Sequence, residues 1–292
     1  MSTPAFPASR AAVESTGAVF DLRPTTGSTN ADLLDAAPTL PDGSVVVTLD
    51  QTAGRGRLDR TWTAPAGQTL AASLLVRAPL DDRDRGWLPL VAGAAMRDAV
   101  RAALEPVPDD VPDQVQDDVP DQAPDDVPDA ADTSRASRTT VKWPNDVLVD
   151  GRKICGILCQ VAADGSVVVG AGVNLTIPEA DLPTPTSTSL LASGATGDAS
   201  TLADAVLSAF WTGVREAVVA LASGGAAAEA VRSHVRADCG TIGARVRLEL
   251  PDGSVVEADA TGIDDEGRIT IRDQDGSTRG VAVGDVTHLR YA

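Results

Sequence analysis

Lysine and histidine are nearly missing from this sequence. Its 292 residues include two histidines, His234 and His288, and two lysines, Lys142 and Lys153, against 22 arginines. Both histidines fall late in the chain and neither sits in a motif that positions a nucleophile, which argues against a Ser-His-Asp or Cys-His centre. Cysteine is as sparse. Cys155, Cys159 and Cys239 are an odd number, so no disulfide framework is expected and a reducing cytoplasm is the expected setting. Basic charge is short as well: 24 Lys and Arg stand against 42 Asp and Glu, a net charge of −18. A surface of that sign does not coat nucleic acid, whose phosphates need neutralising. No run approaches about 18 apolar residues, so no membrane span is expected. The N-terminal residues lack a basic start followed by an apolar core, so no secretory signal is expected.

What is present suits a folded, two-part chain. Hydrophobic residues make up 43%, enough for a core, and the length fits about two domains at roughly 150 residues each. The acid is uneven. Residues 105–134 hold eleven acidic residues and no Lys or Arg; the rest of the chain carries only −7, an ordinary soluble surface. Within that stretch PDDVPDQV, QDDVPDQA and PDDVPDAA follow one another with a period of eight. Each unit is too short and too acidic to bury a face, so residues 105–135 read as an extended, disordered insertion. An acidic docking segment for a basic partner is the alternative.

On either side of the insertion the pattern is regular. Ser28-Thr29-Asn30 ahead of ADLLDAA predicts a helix with cap residues at its start. Residues 44–48 and 69–76 predict strands, and the apolar spacing over 88–104 predicts a helix. Residues 141–143 and 147–149 predict short strands around the turn Pro144-Asn145-Asp146. Residues 154–161 and 167–175 continue as strands, with Asp150-Gly151 and Asp164-Gly165 as hairpin turns. Residues 201–221 and 226–237 predict helices. From Gly243 short alternating strands are broken by PDG, DDEG and DQDG, the pattern of a small SH3-like barrel. The expectation is an α+β chain: a mixed sheet with helices over 1–239, then an SH3-like β-barrel over 240–292.

Three segments carry chemistry. The loop Gly54-Arg55-Gly56-Arg57 with Arg60 offers backbone N–H groups and forked donors to an anion; a solvated turn would look the same, and there is no Walker pattern. In KWPNDVLVDGRKICGIL a hairpin carries Lys153 near the sheet surface, Asp146 stands seven residues before it, and Gly156 permits close approach of a ligand. A surface hairpin with an ordinary salt bridge is the alternative. The only two lysines fall in this segment, either by coincidence or because a compact ammonium is needed where arginine cannot substitute. Residues 169–175 (VGAGVNL) lie in a strand pattern, so they are not a dinucleotide fingerprint; Asn174 is a candidate for a nucleotide contact or a packed polar edge residue. Cys155 and Cys159 have no further metal ligand nearby and read as alternating strand positions.

Taken together, GSTN (27–30), DQTAGRGRLDRTW (50–62), KWPNDVLVDGRKICGIL (142–158), GAGVNL (170–175) and TSL (188–190) resemble the biotin–protein ligases, in order and over nearly the whole chain outside the acidic insertion. Lipoate–protein ligases share the fold but do not usually pair GRGR…R-x-W with KWPND…K. The resemblance implies a class II synthetase-like catalytic domain before the SH3-like barrel. It also implies ATP with Mg²⁺, activation of biotin as biotinyl-5′-AMP, and transfer to a lysine of a biotin carboxyl carrier protein domain. By it, Ser28, Thr29, Asn30, Gln51, Arg55, Gly56, Arg57, Lys153 and Gly156 would bind biotin. Arg55, Arg57, Arg60, Trp62, Asn145 and Asn174 would hold ATP or the adenylate. Lys153, Arg57 and Asp146 would act in catalysis, and Lys142, on a strand, would matter less. No magnesium ligands are assigned. About 25 residues precede GSTN, too few for the DNA-binding domain of bifunctional members, so no DNA partner is expected. A lipoate–protein ligase and a non-catalytic biotin-sensing module are the alternatives.

Overall fold

The computed structural model of the chain describes residues 6–57, 60–63, 65–105, 138–250, 253–282 and 285–288. The acidic repeat, and the expectation that it is disordered, lies outside these residues. In chain order the elements are α1 (Pro7–Glu14), β1 (Phe20–Leu22), α2 (Thr29–Ala36), β2 (Val45–Thr48), β3 (Gly54–Arg55), β4 (Thr61–Trp62), β5 (Thr69–Val76) and α3 (Asp82–Leu104). Then follow β6 (Thr139–Lys142), β7 (Asp146–Val149), β8 (Arg152–Val161), β9 (Val167–Asn174), α4 (Ala199–Ser223) and α5 (Gly225–Asp238). The chain closes with β10 (Arg245–Glu249), β11 (Val255–Ile263), β12 (Ile269–Arg272), β13 (Thr278–Val281) and β14 (Asp285–His288).

Seven strands form one sheet in the order β1-β2-β5-β9-β8-β7-β6. β1 and β2 run parallel and the other neighbours antiparallel, so the sheet is mixed as expected. Its inner strand β5 is buried along its whole length, which explains an apolar run where a one-faced strand would alternate. Alternate residues serve two sides. Leu70, Leu74 and Val76, with Val169 and Val173 of β9, join the large core under α3 and α4, while Leu75 and Val168 pack with Leu33 of α2 on the opposite face.

Two helices differ from the reading of the sequence. α1 was not anticipated. It is short and polar, but Phe6 and Val13 are buried, and Asp204 of α4 accepts from the backbone N–H groups of Ala8 and Ser9. That anchor lies 195 residues away, beyond any local signal. α3 starts at Asp82 rather than near Leu88, and Pro89 sits inside it. Asp81 caps it by accepting from the Asp84 N–H. α4 also narrows the run-length argument about membranes, because it is long and apolar enough by length and composition to cross one. In this fold Leu207, Phe210, Trp211 and Val214 of α4 are core residues.

The last five strands form an antiparallel sheet in the order β13-β12-β11-β10-β14, the SH3-like module. It is tied to the first part at two tryptophans. Trp87 Nε1 donates to the Asp265 carbonyl at 2.8 Å, and Trp143 Nε1 to that of Gly267 at 3.1 Å. A Cβ on Gly86 would lie 2.4 Å from the Glu266 carbonyl oxygen, so only glycine fits there. β6 ends at Lys142 rather than Trp143, whose N–H goes to Thr241 Oγ1, and the Trp143–Pro144 peptide is cis. Val246, Leu248, Ile269 and Ile271 join the same buried cluster as the main sheet.

Candidate active site

A cleft opens on the α2 face of the sheet, over β8 and β9. In a regular strand Lys153 and Gly156, three residues apart, would point to opposite faces. They do not, because the β7–β8 register shifts between Val147 and Leu148. Cys155 pairs with Val147 and Lys153 with Leu148, leaving Ile154 as an extra residue. The bulge reverses the alternation. Ile154 and Cys155 both enter the core, and Lys153 shares the cleft with Gly156 and Asp146. The backbone of Lys153 is strapped in place: its N–H donates to Thr186 O at 2.7 Å, and its carbonyl accepts from Thr188 N at 2.8 Å. This is the structural use of the TSL segment.

The floor of the cleft is made of glycines. Ala171 of the GAG segment faces the core, while Gly170 and Gly172 line the cleft. A Cβ on Gly170 would lie 1.9 Å from Asn30 Oδ1, and one on Gly172 would lie 2.8 Å from Trp62 Cε2. The ribbon β3–β4, with Gly54 opposite Trp62, carries the indole over this floor. Trp62 is half-buried, and its Nε1 is buried without a hydrogen-bond partner among the described residues. Lys153 Nζ lies 5.7 Å from the centre of the Trp62 ring.

One end of the cleft is neutral and polar. Gln51 Oε1 accepts from the N–H of Thr29 at 3.0 Å. Ser73 Oγ lies 2.8 Å from Thr29 Oγ1 and 2.6 Å from Asn30 Oδ1, and Asn30 Nδ2 donates to Gln160 Oε1 at 2.9 Å and to Leu158 O at 3.1 Å. Ser28 caps α2, its Oγ accepting from Ala31 N. These buried groups are fixed by one another, so a ligand meets a preset array of donors and acceptors. The other end is charged. Arg55, Arg57 and Arg60 line it with Lys153 and Asp146. Lys153 Nζ stands 2.6 Å from Asp146 Oδ1, and Arg57 Nη1 donates to Asn145 Oδ1 at 3.3 Å. Asn145 is itself held by Ile157, through Nδ2 to the Ile157 carbonyl at 2.7 Å.

Fourteen residues were singled out for biotin, nucleotide or catalysis; all line this cleft except Asn174. Asn174 is buried at the end of β9, and its Nδ2 is spent on Thr188 O at 2.8 Å. In this position Asn174 holds the segment that straps Lys153. Lys142 lies on β6 as expected, and it lines a polar cavity next to the cleft with Arg60, Asp146 and Arg247. Thr61, Ile157, Leu158, Gly170 and Gly172 line the cleft too. The GAG segment was visible in the sequence, but which of its residues faced the cleft depended on strand pairing. Ser73 and Gln160 carried no local signal, because they act through partners 43 and 130 residues away. Cys155 and Cys159 are free thiols; burial pushes Cys159 up to about 12 and Cys155 higher still, so neither is a nucleophile near neutral pH.

Residues 22–176 match the biotin/lipoate A/B protein ligase family, and residues 241–289 match the biotin protein ligase C terminal domain. The chain is 38% identical over 275 residues to the biotin–[acetyl-CoA-carboxylase] ligase of Mycobacterium tuberculosis, covering 93% of this chain and 89% of that protein. It is 34% identical over 168 residues to the enzyme of that name from Paracoccus denitrificans, covering 56% and 58%. Among solved structures it resembles the biotin protein ligase of Aquifex aeolicus in complex with biotin and ATP, with a TM-score of 0.65 and 20% identity over 94% of this chain and 99% of that one. The Leishmania major enzyme in complex with biotinyl-5-AMP gives 0.59 and 21%, over 90% and 98%. At these identities the structural likeness is one of fold.

Proposed function

Since the chain belongs to the biotin/lipoate A/B protein ligase family, we infer that its cleft joins biotin to ATP and then passes the biotinyl group to a carrier-protein lysine. The observation that carries this reading is the division of the cleft: a neutral array at Thr29, Asn30 and Gln51, and a cationic end at Lys153 and the arginines. A ureido ring is polar and uncharged, so hydroxyls and amides satisfy it without burying a charge. The dithiolane ring of lipoate has no comparable donors or acceptors, so this end of the cleft favours biotin.

In the first step an oxygen of the biotin carboxylate attacks the α-phosphorus of ATP, and pyrophosphate leaves. Both reactants are anions, so the site must hold them against their repulsion. Lys153 and the arginines supply that charge, and they stabilise the additional negative charge that builds on the phosphorus oxygens. Lys153 waits on Asp146; the arriving anions compete for its ammonium. Asp146 is the single carboxylate among the described residues lining the cleft, too few to cage Mg²⁺. The ion would enter on the ATP phosphates and keep water as its other ligands. In the second step the ε-amine of the acceptor lysine attacks the acyl carbon, AMP leaves, and the amine proton passes to Asp146. The acceptor is the biotin-bearing domain of a carboxylase.

Incubating the protein with biotin, ATP and Mg²⁺ tests this. Biotin-dependent pyrophosphate release is expected, followed by labelling of an added carrier domain. Release driven by lipoate and not by biotin would overturn the assignment.

A further inference from the structure

Among the described residues, one group of metal-ligating side chains gathers away from the cleft, at the seam of α3 and α5. His234 Nε2 lies 3.1 Å from Asp98 Oδ2 and 3.3 Å from Asp238 Oδ2. His234 and Asp238 are one helical turn apart on α5, and Asp98 reaches across from α3. The other carboxylate oxygens are taken by one buried guanidinium: Arg97 Nη1 is 2.7 Å from Asp98 Oδ1, and Nη2 is 3.1 Å from Asp238 Oδ1. Arg97 Nε donates to the Thr139 carbonyl at 3.1 Å. One guanidinium therefore braces both carboxylates with their Oδ2 atoms turned to the imidazole. Asp238 Oδ2 is buried and has no hydrogen-bond partner among the described residues. Burial pushes the Asp238 carboxyl up from its ordinary range, and the nearby Arg97, His234 and Arg101 work against that.

We propose that Asp98, His234 and Asp238 form a site for a divalent transition-metal cation of the zinc class, separate from the ligase cleft. The spacing fits. Donors about 2.0–2.2 Å from a common cation stand about 2.9 Å apart in octahedral and about 3.4 Å apart in tetrahedral geometry, and the two measured edges fall between. An imidazole with two carboxylates selects zinc, cobalt or nickel over magnesium or calcium. His234 is half exposed, so water completes the coordination. The cation clamps α3 to α5. Through Arg97 and Thr139 it also braces β6, the strand that leads to Asn145 and Asp146.

The test uses the full chain, stripped with a chelator, as wild type, His234→Gln and His288→Gln. Cobalt(II) absorbance reads binding and its stoichiometry; zinc-dependent thermal melting reads the clamp. Wild type and His288→Gln are expected to bind one ion per chain and to melt higher with zinc. In His234→Gln the affinity should fall at least about tenfold, the scale for disturbing even an outer partner of a ligand, and the melting shift should vanish. His234 is exposed, so that variant folds. It should also keep wild-type adenylation. Absence of saturable binding in wild type, or binding in His234→Gln within about threefold of wild type, overturns the proposal.

Discussion

Replacing Lys153 by alanine should stop the first half-reaction more effectively than any other single change in the cleft. Two unit charges about 4 Å apart interact by about 4 kcal/mol at an effective dielectric of about 20. The Lys153 side chain is 35% exposed, and water screens part of that, leaving about 3 kcal/mol, or on the order of 10²-fold in rate. The loss should exceed this, because Asp146, now 2.6 Å from the ammonium, would face the incoming carboxylate and phosphate unpaired. Lys153→Ala combined with Asp146→Asn should therefore recover part of the adenylation lost in Lys153→Ala. Lys153→Arg should rescue only partly. Trp62 confines the site, its ring centre 5.7 Å from Nζ, and a planar guanidinium is wider than an ammonium. Pyrophosphate release at saturating biotin and ATP measures all three, with the exposed Arg138→Ala as comparator. Turnover in Lys153→Ala within about threefold of wild type would refute the electrostatic argument.

Four further outcomes are expected. Arg57→Gly should still form the adenylate but release it, seen as unselective biotin labelling of bystander proteins; a variant that forms no adenylate would put Arg57 in the chemical step. Deleting residues 108–131 should leave adenylation within a few-fold of wild type. Arg97 of α3 already bonds Thr139 at the start of β6, so a short loop can join these elements, and a loss above about tenfold in a folded deletion would count against this. Gly170→Ala should raise the KM for biotin at least about tenfold, since its Cβ would displace the Asn30 amide; an unchanged KM would show that Asn30 does not meet biotin. Asp204→Ala should cost about 2 kcal/mol by stripping the partners of two N–H groups of α1, the Ser9 hydroxyl keeping the residue 204 carbonyl. Denaturant unfolding measures it, and a change under about 0.5 kcal/mol would show α1 to be held by Phe6 and Val13 instead.

Local patterns predicted most of the main sheet. Residues 69–76 were legible as a strand because six of the eight are apolar and only the small Thr69 and Ser73 are polar, and the helix after Ser28 because its cap and its apolar Leu33 are both local. The clustering of site residues also came through, carried by motifs. What stayed hidden was fixed by distant parts of the chain. The apolar spacing starts the helix near Leu88, yet α3 begins at Asp82, where Trp87 is fastened to Asp265 and Gly86 is pressed against Glu266. Simple alternation would have put Lys153 and Gly156 on opposite faces, and only the register shift at Ile154 brings them together. Asn174 belongs to the motif that signals nucleotide binding, but its amide has a nearer use at Thr188.

Of the four tryptophans, three are sealed. Trp87, Trp143 and Trp211 are buried, and each gives its N–H to a backbone carbonyl, of Asp265, Gly267 and Gly43. Trp62 alone is half-buried, leaning over Gly172 in the cleft with its indole N–H unmatched among the described residues. Any molecule that enters must alter the surroundings of this one fluorophore while the other three stay constant. The intrinsic emission of the unlabelled protein is thus a direct optical gauge of cleft occupancy. A Trp62→Phe variant removes the responsive part and leaves the steady background, so biotin, nucleotide and adenylate can each be titrated against an internal reference.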